Sequence, residues 1–147
     1  MEPDHVAVAN LLYRYAELVD LGDFAGVGQL LAHAEITVEG VAFVQRGADT
    51  ITAVLEGWTR RYDDGTPRTR HVLTNPIIEV DGEAGTATIR SSFSVFQQVD
   101  DLTLQPIIIG RYHDRFARVD GVWRFSARHL FNDLTGDLSH HLLNPLP

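Results

Sequence analysis

Four long runs of alternating apolar and polar residues in the second half of the chain constrain its fold more than any other feature. Asp81-Gly82 and Asp120-Gly121 stand at two of the junctions, and Asp100-Asp101 at a third. Asp-Gly between alternating runs is a strong signal of a β-hairpin. Strands of this length twist and curl, so we expect an antiparallel meander with a concave face. The predicted strands cover residues 70–80, 84–99, 103–119 and 122–131.

The first half of the chain has mainly helical periodicity. Residues 4–21 repeat apolar side chains at helical spacing and end at Gly22, and Asp23 is a suitable N-cap for a short second helix through about residue 31. Residues 35–44 predict a hairpin that turns at Glu39-Gly40, and residues 49–62 predict a third helix. We therefore expect one α+β domain over residues 1–147, cone-shaped, with three N-terminal helices packed on a strongly curved, mainly antiparallel sheet.

Composition limits the chemistry that the chain can perform. The 147 residues include neither cysteine nor lysine, since all 12 basic residues are arginine, which excludes thiolate nucleophiles and a protein Schiff base. The net charge of −8 argues against nucleic acid or an anionic membrane as a partner. The remaining groups suit proton transfer, and we expect no cofactor. The chain has neither an apolar run long enough for a membrane span nor a basic N-terminal start, so we expect a cytoplasmic protein.

The C-terminal part is rich in histidine. His140-His141 stand near His129, Asp133 and Asp137, which is a set of residue types that could bind a metal. Their spacing fits no pair on one helix face, so we do not predict a metal site.

His71 and Asp20 carry the clearest chemical signal. His71 opens the predicted meander in the run Thr69-Arg70-His71, and Asp20 closes the first helix. A histidine oriented by a buried carboxylate is a general base that works near neutral pH. The alternatives are that His71 is a core histidine satisfied by a backbone group and that Asp20 is only a helix-end residue.

Several motifs together resemble the SnoaL-like branch of the nuclear-transport-factor-2-like (NTF2-like) superfamily over nearly the whole chain. The resemblance implies a cone-shaped fold and a homo-oligomer, either a dimer or a trimer. The branch includes scytalone dehydratase, bile-acid 7α-dehydratase, hexachlorocyclohexane dehydrochlorinase, polyketide cyclases and non-catalytic subunits of ring-hydroxylating dioxygenases, so the fold alone does not decide the function. The motifs are Leu18-Val19-Asp20 with Gly22-Asp23-Phe24, Arg70-His71 with Thr74-Asn75, Glu79 to Gly82, Gly110-Arg111-Tyr112, and Asp120 to Phe125.

The resemblance implies roles for five residues. His71 and Asp20 match the base and its carboxylate partner in the dehydratases. Arg128 stands where the dehydrochlorinase has a pocket arginine, although a surface ion pair is the alternative. Tyr15 is placed like a tyrosine of the bile-acid dehydratase, although helical spacing is also typical of a core residue. Tyr112 faces inward by alternation, and the second histidine of scytalone dehydratase has no counterpart on the long strand here, where Ser92, Phe93 and Ser94 stand.

Alternation and the superfamily layout together predict a closed apolar pocket beside His71. We therefore expect a lyase or isomerase that removes a proton from an apolar, cyclic small molecule by an Asp–His general base, as in a dehydration. The alternatives are a non-catalytic binding or structural module, such as a dioxygenase small subunit, and an isomerase of the polyketide-cyclase type. The predicted lining is Val19, Phe24, Trp58, Phe93, Ile108 and Leu130, with Tyr112 among them.

Overall fold

Three helices and six strands form the computed structural model, which describes residues 2–147. The order of elements agrees with the sequence pattern, so the α+β class is confirmed. In chain order the elements are α1 (Asp4–Leu21), α2 (Phe24–Leu30), β1 (Glu35–Val38), β2 (Val41–Arg46), α3 (Ala48–Trp58), β3 (Thr69–Asp81), β4 (Thr86–Val99), β5 (Leu102–Val119) and β6 (Val122–Thr135).

The six strands form one sheet in the order β2-β1-β6-β5-β4-β3. The meander from β3 to β6 is antiparallel, as its hairpin signals predict. Strand β1 pairs in parallel with β6 and antiparallel with β2. Residues of β4 alternate between buried and accessible positions, and the buried ones pack with the helices in the hydrophobic core. One face of the sheet therefore holds the core, and β3 is a free edge.

The expectation that all three helices are N-terminal is wrong in one respect, because α3 follows the hairpin of β1 and β2. The third helix also ends at Trp58 rather than at residue 62. The chain leaves the helix there because Thr59 forms a bridge with Leu142, and the backbone N–H of Arg60 donates to the carbonyl of His141.

Local signals at the start of α2, at the end of α1 and at the Asp120–Gly121 hairpin are confirmed, whereas the Asp81-Gly82 turn extends to Gly85. Asp23 caps α2, since its carboxylate accepts from the backbone N–H of Gly26 at 2.9 Å. Asp120 and Gly121 both have positive φ, 53° and 79°, which is what a two-residue type I′ hairpin turn requires. Gly22 ends α1 at φ 76°, and a Cβ there would lie 2.1 Å from the carbonyl oxygen of Gly65. The turn after Asp20 is therefore fixed by close backbone packing.

Residues 136–147, called the C-terminal segment here, fold back on the end of α3. The backbone N–H of Leu143 donates to the carbonyl of Trp58 at 2.9 Å. The side-chain amide of Asn144 donates to the carbonyl of Gly57, also at 2.9 Å. This docking brings the His140–His141 pair over the inner face of the sheet. In the part of the chain described here, none of the helices is long and apolar enough to cross a membrane.

Candidate active site

Asp20 holds His71 at two points. Its Oδ1 lies 2.7 Å from His71 Nδ1, and its Oδ2 accepts from the backbone N–H of His71 at 2.7 Å. The hydroxyl of Thr69 donates to Oδ1 at 3.0 Å. The side chains are 12% and 7% exposed for Asp20 and His71, so the pair is largely shielded from water. A proton on Nδ1 satisfies Asp20 and leaves Nε2 as the basic nitrogen.

The local sequence explains why these two residues meet. Asp20 is the penultimate residue of α1, and the Gly22 turn ends the helix next to β3. Thr69 and His71 project from the inner face of β3, at the edge of the sheet, toward the helix. The carboxylate thus accepts from donors two residues apart on one strand face. This part of the sequence prediction agrees with the geometry.

Arg128 forms a buried ion pair with Asp114. The two residues are directly paired on β6 and β5, and Arg128 Nε and Nη2 donate to Asp114 Oδ1 and Oδ2 at 2.7 and 3.0 Å. The side chains are 3% and 0% exposed, so the surface ion pair that we considered for Arg128 is a buried one. Burial alone would lower the pKa of Arg128, but Asp114 outweighs it and raises the pKa above its usual value. The guanidinium is therefore charged.

The guanidinium of Arg128 lies against two aromatic rings whose planes are 81° apart. Its carbon lies 3.8 Å from the ring centre of Tyr112 and 4.1 Å from that of Tyr15. Its Nη1 is buried and has no hydrogen-bond partner. Such a donor is rare in proteins and is available to an acceptor that binds there.

Tyr112 is buried and remains a neutral phenol. Burial raises the pKa of Tyr112 well above its usual value, Tyr15 raises it further, and Arg128 opposes the rise. The ring stacks on Phe93 with centroids 4.5 Å apart. Gly110, which pairs with Phe93 across β4 and β5, makes room for that ring, since a Cβ there would lie 2.5 Å from Phe93 Cζ. The glycine serves the packing of two aromatic rings.

Tyr15 lies between the Asp20–His71 pair and the guanidinium of Arg128, and its ring contacts both groups. Its ring meets the His71 ring edge-on at 6.5 Å between centroids and the Tyr112 ring at 5.8 Å. It also covers the guanidinium of Arg128. The five residues that we predicted as catalytic therefore form one continuous group in space, from Asp20 through His71 and Tyr15 to Arg128 and Tyr112.

The cavity at His71 is an open cleft of about 750 Å³ that mixes polar and apolar groups. The prediction of a closed apolar pocket is therefore wrong for this cavity. Tyr15, Tyr112, Phe93 and Arg128 pack against one another behind the dyad and do not line this cleft. The cleft is lined by Tyr13, Ala16, Glu17, Asp20, Leu21, Thr66, Arg68, Thr69, Arg70, His71, Leu73, Phe96, Gln98 and Leu104.

The residues predicted as pocket lining lie elsewhere. Val19, Phe24 and Phe93 are buried in the core. Ile108 and Leu130 are half-buried and pack against it. Trp58 is exposed at the end of α3. None of these side chains lines the cleft at His71.

Three residues of the site were missed by the sequence reasoning. Asp114 follows Tyr112 by two positions on the inner face of β5, so alternation alone could have identified it. Thr69 precedes His71 by two positions, and the same pattern applies. His141 is buried because the C-terminal segment folds back on the end of α3. No local sequence pattern predicts the burial of His141.

The histidines and aspartates considered for a metal are engaged separately. His129 contacts Thr37 and Glu39, both at distances of 2.6 to 2.7 Å. Asp133 pairs with Arg111. Within residues 2–147, His, Asp and Glu form no group of three or more that could hold a metal ion.

Helices on one face of a curved, mostly antiparallel sheet, with an Asp–His pair between the first helix and the edge strand, define a protein of the NTF2-like class. Residues 3–129 match the family model of the SnoaL-like domain. The chain therefore belongs to the SnoaL-like domain family. A comparison with curated proteins found no match.

Solved structures share this fold. An NTF2-like protein with a cystatin-like fold from Novosphingobium aromaticivorans is 26% identical, with 93% of this chain and 86% of that chain covered and a TM-score of 0.71. A candidate scytalone dehydratase from the same organism is 23% identical, with 90% and 85% covered and a TM-score of 0.69. A candidate aromatic ring hydroxylase, also from that organism, is 21% identical, with 95% and 99% covered and a TM-score of 0.71. At this identity the last two likenesses show the fold alone.

Proposed function

We propose that this chain is a small-molecule lyase or isomerase in which His71 removes a proton from carbon. The observation that carries the proposal is the two-point hold of Asp20 on His71, at 2.7 Å for each contact. Holding Nδ1 and the backbone N–H together fixes the ring and its tautomer, and the carboxylate stabilises the imidazolium that forms. A histidine that served only packing would need no charged partner of this geometry.

The reaction begins when a C–H bond next to a carbonyl breaks. The proton moves to His71 Nε2, and the electron pair moves onto the carbonyl oxygen as an enolate. In a dehydration, the enolate electron pair returns to form the C=C bond as the β-hydroxyl group leaves, and the imidazolium gives its proton to that hydroxyl, which departs as water. In an isomerisation, the imidazolium returns its proton to a different carbon. Neither route consumes a co-reactant.

Arg128 and the two tyrosines supply groups that favour negative charge on oxygen. Nη1 of Arg128 is an unpartnered donor on a charged guanidinium. Tyr112 is a neutral phenol, because its pKa is raised, so it can donate a hydrogen bond. Donors that are fixed before the reaction stabilise developing charge without reorganisation. None of these three side chains lines the open cleft, so they would serve the enolate oxygen of a substrate that reaches past the His71 ring to the inner side of the dyad.

The substrate that fits is a ring-bearing molecule with oxygen substituents. The cleft at His71 combines aromatic and aliphatic side chains with threonine, arginine and glutamate. A wholly apolar molecule would leave these polar groups unpaired on binding, which costs affinity. The homo-oligomeric state and the cytoplasmic location expected from the sequence stay predictions.

Two alternatives fit the site less well. A binding or structural module, such as a dioxygenase small subunit, has no use for a base held in one tautomer. An isomerase that uses an aspartate as its base would need a free carboxylate, whereas Asp20 already accepts from Thr69 and from two nitrogens of His71. The imidazole is the group with a free basic atom.

Exchange of a carbon-bound proton in D2O tests the proposal without knowledge of the leaving group. The protein is incubated with cyclohexanones that carry or lack a 3-hydroxyl group, and deuterium incorporation and loss of water are followed by mass spectrometry. We expect wild-type protein to accelerate exchange and His71→Gln to lose about 10²–10⁴-fold of that rate. His113→Gln, an exposed histidine on β5 away from the dyad, is the matched control. Equal rates for wild type and His71→Gln, or exchange no faster than buffer, would refute the base and favour a binding module.

A further inference from the structure

The C-terminal segment places His141 firmly. The carbonyl of His141 accepts from the backbone N–H of Arg60 at 2.8 Å, and the next residue pairs with Thr59. The preceding carbonyl, of His140, accepts from the side-chain amide of Gln97 at 3.1 Å and from the hydroxyl of Tyr62. The backbone on both sides of the His141 ring is thus tied to α3 and to the inner face of β4.

The His141 ring is buried without being satisfied. The residue is 8% exposed, and its Nδ1 has no hydrogen-bond partner. The great majority of buried side-chain polar atoms in proteins are hydrogen-bonded, so an orphaned one calls for an explanation. Its neighbour His140, by contrast, is partly exposed, and its ring contacts the hydroxyl of Ser139.

The pKa of His141 depends on its burial and on the charges of His71 and Asp20. Burial lowers the pKa of His141 to about 4, His71 lowers it further, and Asp20 acts in the opposite direction. At neutral pH the His141 imidazole is therefore uncharged, with one nitrogen that donates and one that accepts. Gln97, whose side-chain amide donates to the carbonyl of His140, is paired with Thr69 across β3 and β4, and the hydroxyl of Thr69 donates to Asp20. The segment that carries His141 therefore lies close to the dyad.

A second buried atom without a partner belongs to Gln97, which is hydrogen-bonded to the residue before His141. Gln97 donates through Nε2 to the carbonyls of Pro67 and His140, while its Oε1 is buried and has no partner. Gln97 is therefore held next to the residue that precedes His141, with an acceptor left over. A hydroxyl group can donate and accept at once, so it is the chemistry that would satisfy two neutral orphaned atoms of this kind.

We propose that His141 is a further substrate-binding residue of the Asp20–His71 site, whose neutral imidazole forms a hydrogen bond with an uncharged hydroxyl or carbonyl oxygen on the substrate ring. The inference rests on the proposed function, since it assigns this contact to the substrate of the same site. In this proposal His71 accepts the proton, Arg128 stabilises the negative charge of the enolate oxygen, and His141 forms a hydrogen bond with an uncharged oxygen of the substrate. A site with these three groups selects a substrate that carries more than one oxygen.

Phenol is a suitable first probe, because it is an uncharged ring with one hydroxyl group. Uniformly ¹⁵N-labelled full-length protein is titrated with phenol while the histidine ring nitrogens are followed by NMR. We expect the Nδ1 resonance of His141 to move, and His141→Leu to weaken phenol binding by up to about tenfold, as for the loss of one hydrogen bond. His141→Gln should restore part of the affinity, and His140→Leu should leave it unchanged.

Three results would overturn the proposal. They are absence of phenol binding to the wild type, binding that leaves Nδ1 of His141 unmoved, and equal affinity for wild type and His141→Leu. Circular dichroism of His141→Leu checks that the fold is retained, and His141→Gln keeps the test open if it is not.

The exchange assay separates this proposal from the function on which it rests. With a 3-hydroxycyclohexanone, His141→Leu should raise KM more than it lowers kcat, whereas His71→Gln should lower kcat. If the wild type binds phenol at His141 but exchanges no carbon-bound proton, the proposed function fails and the binding residue stands. If exchange depends on His71 but His141→Leu leaves KM unchanged, the function stands and the role of His141 fails.

Discussion

Asp114 and Arg128 face each other across β5 and β6 and form a two-point ion pair beneath the inner face of the sheet, with contacts of 2.7 and 3.0 Å. Arg111 and Asp133 repeat this geometry on the surface, at 2.8 and 3.0 Å. The side chains of Arg128 and Asp114 are 3% and 0% exposed, and those of Arg111 and Asp133 are 46% and 36% exposed. The two pairs differ in burial rather than in contact geometry, so they form a matched comparison.

Asp114→Asn should destabilise the protein strongly, and Asp133→Asn hardly at all. Removing one charge from a buried pair leaves the other uncompensated and costs about 3–5 kcal/mol, whereas an exposed pair contributes about 0–1 kcal/mol. Urea denaturation of both variants at pH 7 measures the free energies of unfolding. Similar losses in the two variants would show that Arg128 gains nothing from Asp114 beyond what a surface pair provides.

Asp20→Asn should abolish catalysis while the fold persists. The side-chain oxygen would still accept from the backbone N–H of His71, which would leave the amide NH2 facing His71 Nδ1. That arrangement moves the ring proton to Nε2 and removes the basic lone pair from the substrate side. We expect a loss of about 10²–10⁴-fold in the exchange rate.

The ¹⁵N shifts of the His71 ring report the change of tautomer directly. Asp49→Asn, at an exposed position in the first turn of α3, is the control and should retain the wild-type rate. An Asp20→Asn protein with full activity would contradict the role assigned to the carboxylate.

His141 should make stability fall as the pH is lowered. Burial lowers its pKa from 6.5 to about 4 in the folded protein, so the unfolded chain takes up a proton at a higher pH than the folded one. The stabilising contribution is present above pH 6.5 and is lost as the pH falls through about 4. A shift of this size corresponds to about 3 kcal/mol.

Urea denaturation between pH 7 and pH 4 should therefore show a steeper loss for the wild type than for His141→Gln, with His140→Gln following the wild type. Parallel pH profiles for the wild type and His141→Gln would mean that the imidazole titrates normally.

Gly110→Ala should disturb the aromatic stack in the interior. The added Cβ would lie 2.0 Å from the carbonyl oxygen of Phe131 and 2.5 Å from Phe93 Cζ. Overpacking of this kind costs about 1–3 kcal/mol. Gly57→Ala is the control, because a Cβ at this exposed helical position meets no atom within 4 Å and should stabilise by about 0.5–1 kcal/mol. Thermal unfolding of both variants should give opposite shifts in Tm.

Local chemistry explains which parts of the fold were predictable. The Asp120–Gly121 turn, the Asp23 cap and the end of α1 each depend on residues within a few positions of one another. The contact of Asp20 with His71 spans 51 residues and was predictable only through a family resemblance. Alternation along β3 could also have added Thr69.

The remaining features depend on packing between distant segments. Strand β1 lies parallel to β6, although the meander itself is antiparallel, because the hairpin of β1 and β2 completes the sheet at the far side. The early end of α3 and the burial of His141 both follow from docking of the C-terminal segment. The packing behind the dyad brings Arg128 of β6 against Tyr15 of α1 and Tyr112 of β5. Periodicity within one segment carries no information on such contacts.

The base and its partner come from parts of the chain with different secondary structure. Asp20 lies in α1, while His71 lies in β3, the first strand of the meander. Each strand of the meander pairs with the strand that follows it in the chain. The meander can form its hairpins from contacts close in sequence, but the 2.7 Å contact of Asp20 with Nδ1 exists only after the helices have docked. The tautomer of His71 therefore reports whether the helices have docked on the sheet. Chemistry at this histidine would vanish in a loosened state that still retained its strands.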